Sequence, residues 1–380
     1  MNNSILIITG ENSGERYGAD LVRQFKKINP NYSFSGIGGN SMKAEGVKLL
    51  YSIEEMNLVG IVEIITHLPH LKKIYNSIIR EAQINKPKAI VFIDSPDFNL
   101  RLAKRIKKFR IPILYYISPT VWAWRQIRLK TIKKTVDKML LIFPFEKEIY
   151  EKNKIPYVYV GHPLIEKVKV SFSQDEFFKK YNLNPQKELI TILPGSREIE
   201  IKHHMPVLIE AIQKLKKRYS VHFIILKAEN IELNHIKKYI PDDLKNIPII
   251  SNHHYEAIAS SILSLASCGT ANLESSLLGT PFISFYYLSP LTYKIGINFI
   301  KINHYSIVNI LAGKTIIPEL IQNNFTSDNI YKETVKIMES KEIRNQMKKN
   351  FISITRSLGK KSASQNAALE LNQMITKNID

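Results

Sequence analysis

The chain has 380 residues, 44% of them hydrophobic and 23% charged, which excludes a disordered protein and is too long for one comfortable core, so two compact domains are expected. Lysine and arginine total 54 against 34 acidic residues, a formal net charge of +20; that attracts polyanions, although a chain so rich in lysine, isoleucine and asparagine owes about half of the excess to coding bias. The single cysteine, Cys268, excludes an internal disulfide and, without a second thiol at CxxC spacing, reads as a small buried residue rather than a zinc or redox centre.

Residues 5–8 form an apolar run without the basic flank or cleavage site of a signal peptide, and no stretch of about eighteen uninterrupted apolar residues follows, so the chain is expected in the cytoplasm. The run enters a turn, Gly10, Glu11, Asn12, Ser13 and Gly14, and then an amphipathic stretch at 19–28, a β-turn-α unit. This turn lacks the lysine of GxxxxGKS/T and the spacing of GxGxxG, so a Walker-type triphosphate site is unsupported. Its glycines serve a tight strand-to-helix turn as readily as ligand contact. Residues 57–71 are apolar with few charges and lead into a basic helix from Lys72; they read either as an interfacial helix or as a buried one bent at Pro69. Apolar runs at 89–93, 113–117 and 138–142 alternate with helical segments, as a parallel sheet covered on both faces requires. Gly161 and Pro163 interrupt regular structure, which places a hinge there and a first domain at 1–164.

After the hinge the plan restarts. Residues 189–193 are a strand, PGSRE is a turn, and 205–217 have helical spacing. Further runs at 221–226, 247–250, 262–265 and 281–285 extend a second sheet. The expected fold class is α/β, with two Rossmann-like domains facing each other across a cleft: 1–164, then 165–327. Residues 328–380 read as amphipathic helices that pack back on the first domain or on another subunit.

In such folds ligands lie beyond the carboxyl ends of strands, where helix entrances expose N–H groups to an anion. Gly195, Ser196 and Arg197 put a planar cation at one such entrance, suited to a diphosphate. At another, Ser267 and Gly269 permit close approach, Thr270 is positioned to cap the helix, and Glu274 is placed for ribose hydroxyls; a capped helix with a solvated glutamate explains the same pattern. Asp94 ends an apolar strand, where desolvation would raise its pKa and make it a better proton acceptor, or it caps the following helix. Asp97, just after Pro96, reads as a first-turn residue. Both tryptophans, Trp122 and Trp124, stand beside Arg125, Gln126 and Arg128; indole faces stack on sugars or lie at bilayer interfaces, and the arginines suit a phosphate. Core packing accounts for one of the two rings. No DxD motif appears, so no metal is expected, and no cofactor. No nucleic-acid-binding signature accompanies the charge either, so an anionic membrane surface or a phosphorylated substrate fits better.

The segments GENSGE, GIGGNSMKAEG, GIVEII, IDSPDFN, SPTVWAWRQ, FPFEKEIY, VGHPL, LPGSRE, SCGTANLES and NILAG occur in this order, and the chain thereby resembles the lipid-A-disaccharide synthases over nearly its whole length. The resemblance implies the glycosyltransferase B fold, with UDP-sugar bound by the second domain and the acceptor and membrane side on the first. It implies transfer of 2,3-diacylglucosamine from UDP to 2,3-diacylglucosamine 1-phosphate (lipid X), giving a β-1,6 disaccharide, at the cytoplasmic face of the inner membrane. Asp94 matches the family's catalytic aspartate, Arg197 its LPGSR arginine, Glu274 its SGTxxLE glutamate and Asn309 the asparagine before LLAG, while Ser13 and Gly14 match its first loop. Two positions depart from the pattern: Glu15 stands where aspartate is usual, and Val308 where proline usually precedes the asparagine. The resemblance also implies a homodimer with exchanged C-terminal elements. Another enzyme of the same fold, such as a peptidoglycan-precursor glycosyltransferase or a nucleotide-sugar epimerase, is the alternative.

Overall fold

A computed structural model describes residues 3–56, 61–289, 303–359 and 362–376. The chain divides into two compact units, Met1–Pro163 with Leu358–Asp380, and Leu164–Ser357. The first holds β1 (Ser4–Thr9), β2 (Ser33–Gly38), β3 (Val47–Ser52), β4 (Ala89–Ile93), β5 (Ile113–Tyr116), β6 (Lys138–Leu141) and β7 (Tyr157–Tyr159). They pair in the order β3-β2-β1-β4-β5-β6-β7, every neighbour parallel. The second holds β8 (Leu189–Leu193), β9 (His222–Leu226), β10 (Ile249–Ile250), β11 (Leu263–Ser267), β12 (Phe282–Tyr286) and β13 (Glu319–Ile321). Their order is β10-β9-β8-β11-β12-β13, again all parallel.

Helices on both faces explain why the central strands are continuous apolar runs. On β1, Ile5 and Ile7 join a core with Leu21, Val22 and Phe25 of the helix Asn12–Ile28. Leu6 and Ile8 point the other way, toward Ile74 and Ile78 of the helix Ile61–Asn85. That helix continues through Pro69; residues 57–60 of the expected interfacial segment lie outside the described residues.

The tail divides between the units. Helices Ser327–Glu339 and Lys341–Ser357 stay with the second, where Lys214 binds Ser327 and Asp328, and Phe351 stacks on Phe282 at 5.6 Å. Helix Ala363–Thr376 joins the first unit, burying Ala367, Ala368, Leu371 and Ile375 beside the helix Asn12–Ile28. Its small residues let the two helices approach, and Leu371 and Ile375 contribute about 1.5–3 kcal/mol each by burial.

Each sheet winds outward from its first strand in both directions. The reversals fall between β1 and β4 and between β8 and β11. Loops beyond the carboxyl ends of such strands part there, which opens room for a ligand.

Candidate functional site

At the first reversal, β4 ends in two residues with left-handed backbone, Asp94 at φ 49° and Ser95 at φ 45°. Neither is glycine, so each conformation costs on the order of 1–3 kcal/mol that neighbours must offset. The Asp94 carbonyl accepts from Asn99 Nδ2 at 2.8 Å and from the Tyr115 hydroxyl at 2.6 Å. Its N–H donates to the Tyr116 carbonyl at 3.2 Å. Across the reversal, the Gly10 N–H donates to Ser95 Oγ at 3.0 Å. A Cβ on Gly10 would lie 2.7 Å from that oxygen, and one on Gly14 2.3 Å from Thr9 Oγ1. The glycines of the first turn therefore permit two strand ends to close on each other.

The N-cap residue of the next helix is Ser95, and its side chain makes no capping bond. Burial raises the Asp94 pKa to about 6, repulsion from Glu11 adds to this, and the Ser95 N–H partly offsets it. A carboxyl group so placed is a proton acceptor near neutral pH. Asp97, three residues on, is exposed and receives Arg125 at 3.0 Å and Arg128 at 2.6 Å. Burial opposes its ionisation, but Arg128, Arg125 and Arg101 hold Asp97 below its ordinary value. Its partners lie in the tryptophan segment rather than at the helix start.

The two tryptophans have separate surroundings. Trp124 is 37% exposed, with Arg125 over its ring at 4.2 Å and its N–H on Thr120 Oγ1 at 2.8 Å. Trp122 is half-buried, meets Phe145 edge-on at 5.3 Å, and its indole N–H has no partner among the described residues. Beneath them Ser118 Oγ lies 2.7 Å from the Tyr150 hydroxyl. Glu146 accepts the Phe143 N–H at 3.1 Å, and burial pushes its carboxyl up to about 8.

At the second reversal, Gly195 has φ +132°, and the helix Glu198–Arg218 follows. The amides of Ser196 and Arg197 are occupied by Glu200 Oε2 at 2.8 and 3.3 Å. These two donors are therefore engaged within the chain, while the Arg197 side chain is 71% exposed. The turn after β11 is open. Gly269, with no side chain to cap with, occupies the N-cap position of helix Thr270–Leu277. Thr270 is thus the first helical residue, not the cap expected from its sequence. A Cβ on Gly269 would meet nothing within 4 Å. Ser267 is buried, and Glu274 is half-buried with the Tyr255 hydroxyl at 3.4 Å.

A family model described as lipid-A-disaccharide synthetase matches residues 5–372. The chain belongs to the lipid-A-disaccharide synthetase family. Similar relatives named lipid-A-disaccharide synthase include that of Geobacter sulfurreducens, 34% identical over 99% of this chain and 98% of its own. That of Syntrophus aciditrophicus is 36% identical over 98% of each. Among solved structures, a UDP-GlcNAc 2-epimerase from Neisseria meningitidis bound to UDP-GlcNAc aligns with TM-score 0.65 at 14% identity, over 99% of this chain and 100% of that one. A calicheamicin glycosyltransferase aligns with TM-score 0.59 at 12% identity, over 99% of each. At these identities the structural likeness speaks for the fold alone.

One position matched to the lipid-A-disaccharide synthase pattern and one that departs from it have structural work in this chain. Asn309 is fully buried; its amide donates to the Ile317 carbonyl at 3.1 Å and to Glu319 at 2.8 Å, and its oxygen accepts from Ile316 and Ile317 at 2.8 and 3.1 Å. That uses both donors and both lone pairs of the side chain, so Asn309 shapes the loop before β13 and has no group left for a UDP ligand. Glu15 is buried and accepts the Met42 N–H at 2.8 Å, which caps the short helix Asn40–Ala44. Ser13, by contrast, is exposed beside the first turn. Glu200 and His204, inside the helix after Arg197, were not singled out from the sequence; their spacing of four on one helix face was the available signal.

Proposed function

We propose that this enzyme transfers 2,3-diacylglucosamine from UDP-2,3-diacylglucosamine to lipid X, releasing UDP. The observation that carries the reading is the place of Asp94, a half-buried carboxyl just past the end of β4 at a sheet reversal, where burial raises its pKa to about 6. In the proposed step the Asp94 carboxylate takes the proton of the acceptor's primary hydroxyl as that oxygen bonds to the anomeric carbon. The carbon–oxygen bond to the diphosphate breaks on the opposite face, its electron pair leaving with UDP, and the configuration inverts. The Arg197 guanidinium and the start of helix Thr270–Leu277 would stabilise the departing charge. Trp122, Trp124 and Arg125 would receive the acceptor's sugar and phosphate.

Both substrates carry acyl chains, and the net charge of +20 favours an anionic surface, so the enzyme is proposed to work as a peripheral protein on the inner membrane's cytoplasmic face. No described helix is long and apolar enough to cross a membrane. Vesicles with anionic lipid should retain the protein at low salt and release it at high salt. A homodimer is the expected assembly, to be checked by light scattering. Incubation with both substrates, followed by mass spectrometry for UDP and disaccharide, tests the reaction; donor consumed without disaccharide would favour the epimerase alternative.

A further inference from the structure

The turn that carries Arg197 holds an anion of its own. Glu200 is 5% exposed and its carboxylate gathers four donors. Oε2 accepts the Ser196 and Arg197 amides at 2.8 and 3.3 Å, and Oε1 accepts the Arg197 guanidinium at 3.0 Å and the Tyr286 hydroxyl at 2.9 Å. Gly195 admits it: a Cβ there would lie 2.5 Å from Glu200 Oε2 and 2.7 Å from its Cβ. One helical turn further, His204 is fully buried. Its Nδ1 lies 2.7 Å from the Pro194 carbonyl, and its Nε2 lies 3.1 Å from the Tyr287 N–H. A carbonyl can only accept and an amide can only donate, so Nδ1 carries the proton and the ring is neutral. Asn230 closes the remaining side, donating to the Ser196 carbonyl at 2.7 Å.

A helix entrance ordinarily offers its amides to phosphate; here the chain's own carboxylate holds two of them. We infer that Glu200 and His204 are positioning residues that fasten the Arg197 turn to Tyr286 and Tyr287 at the end of β12, so that the turn binds the donor's diphosphate through the guanidinium and not through its amides. Anchored through one nitrogen to Glu200, the guanidinium keeps a preset direction while most of the side chain stays exposed. Preset direction matters because a fork that must be immobilised on binding loses affinity to the entropy of ordering it. This inference rests on the proposed role of Arg197.

The test is a double-mutant cycle of Arg197→Ala and Glu200→Gln, read as UDP affinity by calorimetry, with uridine titrated by NMR as the ligand that lacks phosphates. Arg197→Ala should weaken UDP on the order of 10–100-fold, and Glu200→Gln on the order of tenfold, the range expected for hydrogen bonds to charged groups. Uridine binding should stay within about twofold of wild type in both, because neither change touches a phosphate-free ligand. The double variant should be no weaker than Arg197→Ala. If Arg197→Ala leaves UDP affinity intact, the proposed role of Arg197 falls. If it weakens UDP but Glu200→Gln does not, or the two effects add, only the positioning role falls. Tyr286→Phe removes one bond to Glu200 and leaves both backbone amides engaged; it should weaken UDP severalfold while the chain still folds, with only a modest drop in melting temperature, which covers the case that Glu200→Gln fails to fold. Full UDP affinity in Tyr286→Phe would overturn the tie to β12.

Discussion

Replacing Asp94 by asparagine should abolish turnover and stabilise the protein at the same time. Asparagine keeps the shape and tolerates the left-handed backbone observed at position 94, whereas alanine would add conformational strain. The carboxyl is raised from 3.8 to about 6, first by burial and then by Glu11. Its folded-state pKa therefore lies above its unfolded one, and the folded chain binds the proton more tightly. Ionisation above about pH 6 costs stability, on the order of 3 kcal/mol for a shift of about two units, and the cost is relieved as pH falls toward the unfolded value. Asp94→Asn should thus gain on the order of 3 kcal/mol at pH 7 and much less at pH 4. For activity, a base with this pKa is about nine-tenths ionised at pH 7 and about one-tenth at pH 5, so kcat/KM should fall about tenfold between them. Glu11→Gln should move that acid limb to lower pH, by less than the contribution of burial. Disaccharide formation measured from pH 5 to 8, with thermal melts at pH 7 and 4, reads both effects. A flat profile between pH 5 and 7, or a less stable Asp94→Asn at pH 7, would refute the reasoning.

Three more outcomes are expected. Gly269→Ala introduces a methyl into open space, so melting should not change, while UDP affinity should drop about tenfold if that space receives the diphosphate; unchanged affinity removes Gly269 from the site. Asn309→Ala strands the amides of Ile316 and Ile317 and one contact of Glu319, which should cost about 2–4 kcal/mol in denaturant unfolding. A selective loss of UDP affinity at wild-type stability would instead return Asn309 to ligand binding. His162 is buried against Phe143, with its pKa lowered to about 3 by burial. Its stabilising share is present above about pH 6.5 and is lost as pH falls from there toward about 3, because only the unfolded chain takes the proton. Between pH 7 and 5, His162→Phe should therefore gain about 2 kcal/mol relative to wild type in urea titrations; parallel pH dependences would show that the ring does not stay neutral.

Much of the fold was legible where burial on both faces leaves a short unbroken apolar run: β1, β4, β5, β6, β8, β9, β11 and β12 lie within a residue or two of their expected bounds. β2 was not, because SFSGIG carries two serines and two glycines; Gly36 is there because a Cβ would meet the Ile7 carbonyl at 1.8 Å. β7 and β13, three residues each, are too short to show a period. The helix Asn12–Ile28 begins well before residue 19. Gly14, read from the sequence as part of the turn, lies inside that helix, and it and Gly18 are contact points against Thr9, Met42 and Ile93.

By itself the sequence determined the repeated strand-turn-helix plan and the turns at which chemistry is to be sought, because both depend on local pattern: apolar runs, glycines, a carboxylate or a guanidinium at a strand end. Only the tertiary structure decided which of those turns meet. Gly10 reaches Ser95 across 85 positions of chain, and Glu200 binds Tyr286 across 86. Parallel pairing joins strands that are never adjacent in sequence, so no local period encodes the partner, and whether an amide stays open to a ligand or closes on a carboxylate is settled by packing.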